Sequence, residues 1–244
     1  MNWNWNVIFD SLPTLFEASI LTAKLVILSG ILGLFFGVII GLLRANKNRW
    51  IQALPFAFIF FFRGTPLLVQ IFLVYAGLGQ FDFVRESVLW EPVFKQAFWC
   101  AIIAFTLNTS AYIAEIVRGA IEAIPKGELE AADAIGMSPL QKLLRVTLPR
   151  AFGIMIPAYS NEVIFMLKGS ALASTITLVE LTRAAQKIGS KTYAVIEMYF
   201  AAGIFYLLLS WLFMWLFRNL EKRFNKHNQG VVPPEAAAGT IAHS

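Results

Sequence analysis

Charge is scarce in this sequence: 14% of its 244 residues are Asp, Glu, Lys or Arg, against about 25% in ordinary globular chains. Cysteine is nearly absent. The one thiol, Cys100, falls inside an apolar stretch, which excludes an intramolecular disulfide and a cysteine-based metal cluster and leaves a small core residue as the expectation. Histidine is limited to His227 and His243, both beyond the apolar body, so the sequence offers no histidine metal site and no histidine-based catalysis there. A phosphate-binding loop is missing too. It needs Gly-x4-Gly-Lys-Ser/Thr so that backbone amides and the lysine hold phosphates, and Gly189-Ser190-Lys191-Thr192 lacks that frame. With no catalytic constellation, metal site or cofactor site legible, energy for any work must come from a partner or a gradient.

Apolar residues are what the chain has instead: 58% of the sequence, with mean hydropathy +0.66. They cluster in stretches of about 20, the length a helix needs to cross roughly 30 Å of hydrocarbon. The expected fold is an all-α integral membrane protein with five transmembrane helices. The net charge of +5 would suit nucleic acid, but the basic residues sit mostly in short loops and the tail, as the positive-inside pattern requires. Met1 to Asn6 lack the basic region of a cleavable signal, so the first span is expected to be a retained anchor.

Trp3 and Trp5 stand just before that span, where amphipathic rings favour the headgroup zone. Span 1 is expected from about Leu15 to Leu43. Its Gly33, Gly37 and Gly41 fall four apart on one face, where another helix can approach closely. After the basic turn of Arg44, Lys47 and Arg49, span 2 is expected from Trp50 to about Leu78, interrupted by Arg63-Gly64-Thr65-Pro66. Such a break, with a full charge at membrane depth, is tolerated where it is buried in protein or lines a wet cavity. Asp82 to Lys95 reads as an external loop. Span 3, about Ala97 to Val117, carries Asn108, Tyr112 and Glu115 at i, i+4 and i+7 on one face. Span 4 runs from about Ala151 to Leu167 and holds Tyr159-Ser160-Asn161-Glu162. Residues 169–195 read as a short helix plus loop on the outer side. Span 5 runs from about Ile196 to Phe217, and residues 228–244 read as a disordered tail. With the N-terminus outside, internal segments carry twelve Lys/Arg and external ones six.

Between spans 3 and 4 lies a polar stretch, Glu128 to Pro139 and on to Pro149, built of helix formers and broken by Gly136 and Pro139. A short helix, a bend and a second short helix are expected. Within it, Glu130-Ala131-Ala132, then Gly136, then Val146-Thr147-Leu148-Pro149 resembles the EAA loop of ABC importer membrane subunits, with Val146 where that family usually has isoleucine. Phe62 to Gln70, Ala104 to Tyr112 and Ile156 to Ile164 are similar to the polar amino acid uptake branch. Together they look most like the M-type permease of histidine/lysine/arginine/ornithine and octopine/nopaline systems. The likeness covers about residues 14–224. It implies a periplasmic segment 1–13, a type I transmembrane domain 14–224 and a cytoplasmic tail 225–244, in a bacterial inner membrane. It also implies an ABC ATPase dimer docked on a cytoplasmic coupling loop at Glu130, Ala131, Ala132, Gly136, Ser138 and Pro139. The other implied partners are a paralogous permease subunit in a heterodimer, a periplasmic amino-acid-binding protein and membrane lipid, with no nucleic acid.

The cargo implied is a polar L-amino acid, basic ones favoured. Counting ~1.5 Å per helical residue, Arg63, Glu162 and Asn108 stand about 20, 18 and 14 Å from the inner ends of their spans. A zwitterion needs a cation and a carboxylate, because unpaired charges there cost several kcal/mol. Glu162, Arg63, Asn161, Asn108, Tyr112 and Ser160 are the candidate substrate residues. Each has another reading: Glu162 as an ion pair with Lys168 or Arg63, Arg63 as the cap of the broken helix, Asn108 and Tyr112 as interhelical hydrogen bonds. Glu115 is expected to pair with Arg118 or Arg150. Two other classes remain open, half of an ion-coupled secondary transporter and a membrane enzyme. The former needs a second related half, and the latter a nucleophile–base or metal spacing that the sequence does not show.

Overall fold

The computed structural model describes residues 3–46 and 48–224. Lys47 of the basic turn and the expected tail 225–244, His227 and His243 included, lie outside the described residues. Helix α1 spans Trp5–Arg44 and so begins well ahead of the expected Leu15. Asn4 caps it, its side-chain oxygen accepting from the Val7 N–H at 3.4 Å. The added turns bury Ile8 in a cluster with Leu181, Ala185 and Met198. Just ahead of the helix, Trp3 packs its ring edge-on against Phe200 at 5.4 Å.

The expected second span is two arms. Helix α2 (Arg49–Gly64) and helix α3 (Leu67–Phe72) are separated by extended Thr65 and Pro66, and a wider π turn (Leu73–Gly77) followed by a tighter 3-10 turn (Leu78–Gln80) carries the chain on from α3. The angle between the arms is 107°. The pyrrolidine ring of Pro66 pushes its predecessor out of the helical region, and Thr65 sits accordingly at φ −112°, ψ 146°. A single turn, α4 (Asp82–Arg85), lies in the expected external loop.

Helix α5 (Ala97–Glu122) is the centre of the bundle: 72% of its most apolar stretch is buried, against 17% for α10 (Val195–Phe224). Small residues make this possible. Ala101, Ala104, Ala111 and Ala114 are all fully buried on α5, and α1 meets it with its glycine row. A Cβ on Gly33 would lie 2.8 Å from Thr109 Cγ2, on Gly37 2.6 Å from Ile113 Cβ, and on Gly41 2.8 Å from the Ala114 carbonyl. The four-residue glycine spacing is thus the α1–α5 contact itself.

Helix α6 (Lys126–Ala134), a turn, and helix α7 (Pro139–Lys142) follow, then α8 (Leu148–Gly169) and α9 (Leu181–Thr192). Helices α1, α5 and α10 are long and apolar enough to cross a membrane alone. Counting each of the two bent pairs, α2 with its continuation and Pro139–Ile176 with α9 (53°), as one span gives five among the described residues. A buried polar junction holds α9 in place. Glu180, with no exposed surface, accepts from the backbone N–H groups of Thr182 (2.9 Å) and Arg183 (2.8 Å) and from the Tyr206 hydroxyl (3.0 Å), while Thr22 Oγ1 accepts from the Leu181 N–H at 3.1 Å. Each of the first four backbone N–H groups of this helix, with Ala184 donating to the Glu180 carbonyl at 2.8 Å, therefore has an acceptor in an apolar surrounding.

Candidate functional site

The break in the second passage leaves carbonyls without helical donors, which is costly in hydrocarbon. Side-chain amides replace them. Gln70, only 2% exposed, directs its Nε2 to the carbonyls of Phe62 (2.8 Å) and Thr65 (3.0 Å). Asn108 Nδ2 donates to the same Phe62 carbonyl (3.2 Å) and to Gln70 Oε1 (2.9 Å). Thr65 Oγ1 donates to Phe61 at 2.8 Å. The cap of the broken helix is therefore Gln70 with Asn108, and not Arg63. Gln70 has no role in the sequence reading, although a buried amide four residues past Pro66 was the available signal.

Inside the bend lies a cavity of about 450 Å³, lined by Thr65, Leu67, Asn108, Tyr112, Glu162 and Met166 among others. Three elements contribute: α3, the polar stripe of α5, and α8. Glu162 is half-buried and makes no hydrogen bond or ion pair with another described residue. The alternative reading of Glu162 as an ion pair with Lys168 fails on geometry, since the Lys168 ammonium lies over the Phe165 ring at 5.9 Å. Arg63 does not line the same cavity. Its guanidinium rests on the Tyr112 ring at 5.2 Å and faces a neighbouring cavity of about 350 Å³ with Arg44 and Glu115. The expectation of one pocket holding both charges is corrected to two cavities with Tyr112 between them.

Of the other candidates, Ser160 is half-buried and Asn161 exposed, and neither lines the Glu162 cavity. Asn161 belongs to an exposed α8 stripe of Ile154, Ala158, Asn161, Phe165 and Lys168, a three–four spacing suited to a facing helix. Neighbouring Tyr159 turns to α1, its hydroxyl donating to the Gly30 carbonyl at 3.1 Å. Glu115 pairs with Arg118 at 2.8 Å and faces Arg44 at 3.8 Å. Arg150 pairs with Glu128 instead, through a 2.7 Å bond from Nε.

The polar unit between α5 and α8 is a helix, a turn and a helix. Gly136 sits at φ +76°, its N–H donating to the Asp133 carbonyl (3.0 Å) while the Met137 N–H donates to Ala132 (3.1 Å). This paired closure requires a left-handed residue at the turn. Ser138 and Gln141 then cap α7 reciprocally, with Pro139 in its first turn. Ion pairs Asp133–Lys142 and Glu128–Arg150 tie the two helices to each other and to α8. Ala132 is buried, whereas Glu130, Ala131, Gly136, Ser138 and Pro139 are exposed. Three residues the sequence reading passed over share that surface: Ile135 (73% exposed), Leu140 (64%) and Leu144 (55%). Aliphatic residues in a polar loop were the signal.

Residues 33–226 match the model of the family described as binding-protein-dependent transport system inner membrane component. Among curated proteins, the chain is 44% identical over 201 residues to an octopine transport system permease protein of Rhizobium radiobacter, covering 82% of each chain. It is 40% identical over 235 residues to a nopaline transport system permease protein of Agrobacterium fabrum, covering 95% of this chain and 97% of the relative. A histidine/lysine/arginine/ornithine transport system permease protein of Salmonella typhimurium is 39% identical over 212 residues, covering 87% and 90%. Among solved structures, a crystal structure of an amino acid ABC transporter with histidines superposes at TM-score 0.80 with 34% identity, covering 91% of this chain and all of that one. An inward-facing methionine ABC transporter, at 20% identity and TM-score 0.74 over 88% of this chain and 98% of that one, shares the fold.

Proposed function

The chain belongs to the family of binding-protein-dependent transport system inner membrane components, and from that premise we infer that it is the permease of an ATP-driven importer of polar L-amino acids, basic ones preferred. The observation that carries the cargo is Glu162: a carboxylate without an ion-pair partner among the described residues, facing a cavity at a helix break. An unpaired charge at such depth is expensive. A cationic side chain or an α-ammonium offsets that cost on arrival, and Arg63 beyond Tyr112 attracts the α-carboxylate. The relatives named above carry opines and basic amino acids by their names, which agrees with this charge.

The drive comes from outside the chain. An ATPase dimer docks on the α6–α7 unit, where Ile135, Leu140 and Leu144 supply apolar anchors and Glu130 a charged rim. ATP binding moves this unit as a rigid body, because the Glu128–Arg150 pair transmits its motion directly to α8 and so to Glu162. A binding protein delivers the amino acid on the opposite, periplasmic face, and the N-terminus lies on that side. A paralogous permease covers the exposed α8 stripe around Asn161. Reading the chain as half of an ion-coupled secondary transporter is not favoured, since the family match is to binding-protein-dependent systems.

The test is reconstitution with an ABC ATPase, a second permease and a periplasmic binding protein. Uptake of arginine that depends on internal ATP and survives collapse of ion gradients is the expected result. Uptake that stops with the gradient and ignores ATP would overturn it.

A further inference from the structure

The cavity that Arg63 faces is separate from the one that Glu162 lines. Along α5, one turn separates Tyr112 from Glu115, and each carries an arginine from another helix: Arg63 of α2 over the Tyr112 ring, Arg44 of α1 beside Glu115. Between them is the space of about 350 Å³ bounded by Arg44, Phe56, Phe60, Arg63, Gly64 and Glu115, on the α6–α7 side of the Glu162 cavity. Its volume lies within the range of small-molecule sites, roughly 300–1,000 Å³.

The polar groups in its wall are unevenly used. Glu115 Oε2 accepts from Arg118 Nε (3.0 Å) and Nη2 (2.8 Å), while Oε1 faces Arg44 Nε at 3.8 Å, too far for a hydrogen bond. Arg44 Nε is buried without a hydrogen-bond partner, although its Nη1 donates to Gln52 at 2.8 Å. Arg63 rests on the Tyr112 ring and makes no hydrogen bond or ion pair with another described residue. One carboxylate oxygen, one guanidinium edge and a second guanidinium held only on a ring face among the described residues therefore surround a space walled elsewhere by Phe56, Ile59 and Phe60. This set matches a zwitterion, with guanidinium forks for a carboxylate and Glu115 for an ammonium or a basic side chain.

We propose that this cavity is a second amino-acid subsite, in which Arg44 and Arg63 take the α-carboxylate and Glu115 the positive charge of the same L-amino acid that Glu162 takes first. The inference rests on the amino-acid permease reading above. Arg63 stands at the boundary between the two spaces: its guanidinium rests on the Tyr112 ring and walls the lower one. An amino acid moving toward the α6–α7 end passes from the carboxylate of Glu162 to that of Glu115, two separate stations that can be filled together.

The test is equilibrium binding of radiolabelled L-arginine to the assembled, nucleotide-free importer without binding protein, at saturating concentration. Two equivalents per chain are expected for the parent. Glu162→Gln and Glu115→Gln should each retain one, and the double variant none. Because Glu115 also pairs with Arg118, Gly64→Leu serves as an independent variant. A Cβ on Gly64 meets nothing within 4 Å, so the leucine fills the cavity without touching an ion pair, and one equivalent should be lost. Two equivalents retained in Gly64→Leu, or a parent with a single equivalent that only Glu162→Gln removes, would overturn the second subsite and leave the permease reading intact. No arginine bound by any form would remove both.

Discussion

Asn108 Nδ2 donates to Gln70 Oε1 at 2.9 Å, and both amides reach the carbonyl of Phe62. The central helix is thereby hydrogen-bonded to the break in its neighbour. The cavity keeps its shape because α5, the end of α2 and the start of α3 are one hydrogen-bonded unit. Removing the Gln70 amide leaves the Thr65 carbonyl without its amide donor and Asn108 without its Gln70 acceptor, while the Phe62 carbonyl keeps Asn108 alone, at about 1–3 kcal/mol for each group left unsatisfied. Gln70→Leu, close in volume, should lower the melting temperature of the purified complex and weaken arginine uptake, whereas Gln70→Glu restores shape without the Nε2 donors and should not rescue either. Unchanged melting in Gln70→Leu would contradict this role.

The glycine row separates close packing from mere composition. Gly37→Ala puts a methyl 2.6 Å from Ile113 Cβ and should destabilise the protein by about 1–3 kcal/mol by prising α1 from α5. Gly119→Ala, on α5 but with nothing within 4 Å of the new methyl, should be neutral or stabilise by up to about 1 kcal/mol through helix propensity. Thermal melts of the two variants, compared side by side, check the contrast.

At the turn of the α6–α7 unit the strain is conformational. A side chain on Gly136 meets open space, but its φ of +76° costs an ordinary L-residue about 1–2 kcal/mol. Gly136→Asn should therefore transport better than Gly136→Ala or Gly136→Val, because asparagine tolerates the left-handed region. Uptake and stimulated ATPase activity of the three reconstituted variants give the order. Full coupling in Gly136→Val would dismiss the turn as a mechanical part.

How much of this was legible in the sequence depends on the range of the forces involved. The glycine spacing, the Gly136 turn and the break at Gly64–Pro66 are local, set by Cβ sterics and the missing proline N–H, and they stand where the sequence puts them. The 107° angle at that break was not legible, because it is fixed by Gln70 and by Asn108, which comes 38 residues later in the chain. Depth counting placed Arg63 and Glu162 at one level, yet a rise per residue carries no azimuth, and the Tyr112 ring separates them. Glu115 was expected to pair with Arg118 or Arg150 from proximity along the chain. Arg118 is indeed its partner, while the approach of Arg44 depends on the close α1–α5 packing that the glycines permit. The early start of α1 depends in the same way on α9 and α10, whose contacts with Ile8 outweigh the weak apolarity of residues 5–13.

The central claim is that Glu162 is the counter-charge for a basic amino acid in transit. ATP-driven uptake of labelled arginine by proteoliposomes holding the complete importer, with Glu162→Gln against the parent, tests it most directly. The account predicts a loss of about tenfold or more in kcat/KM for arginine and lysine, equivalent to at least ~1.4 kcal/mol of lost stabilisation, with the complex still assembled and melting as the parent does. Unchanged uptake of arginine, lysine and histidine would contradict it.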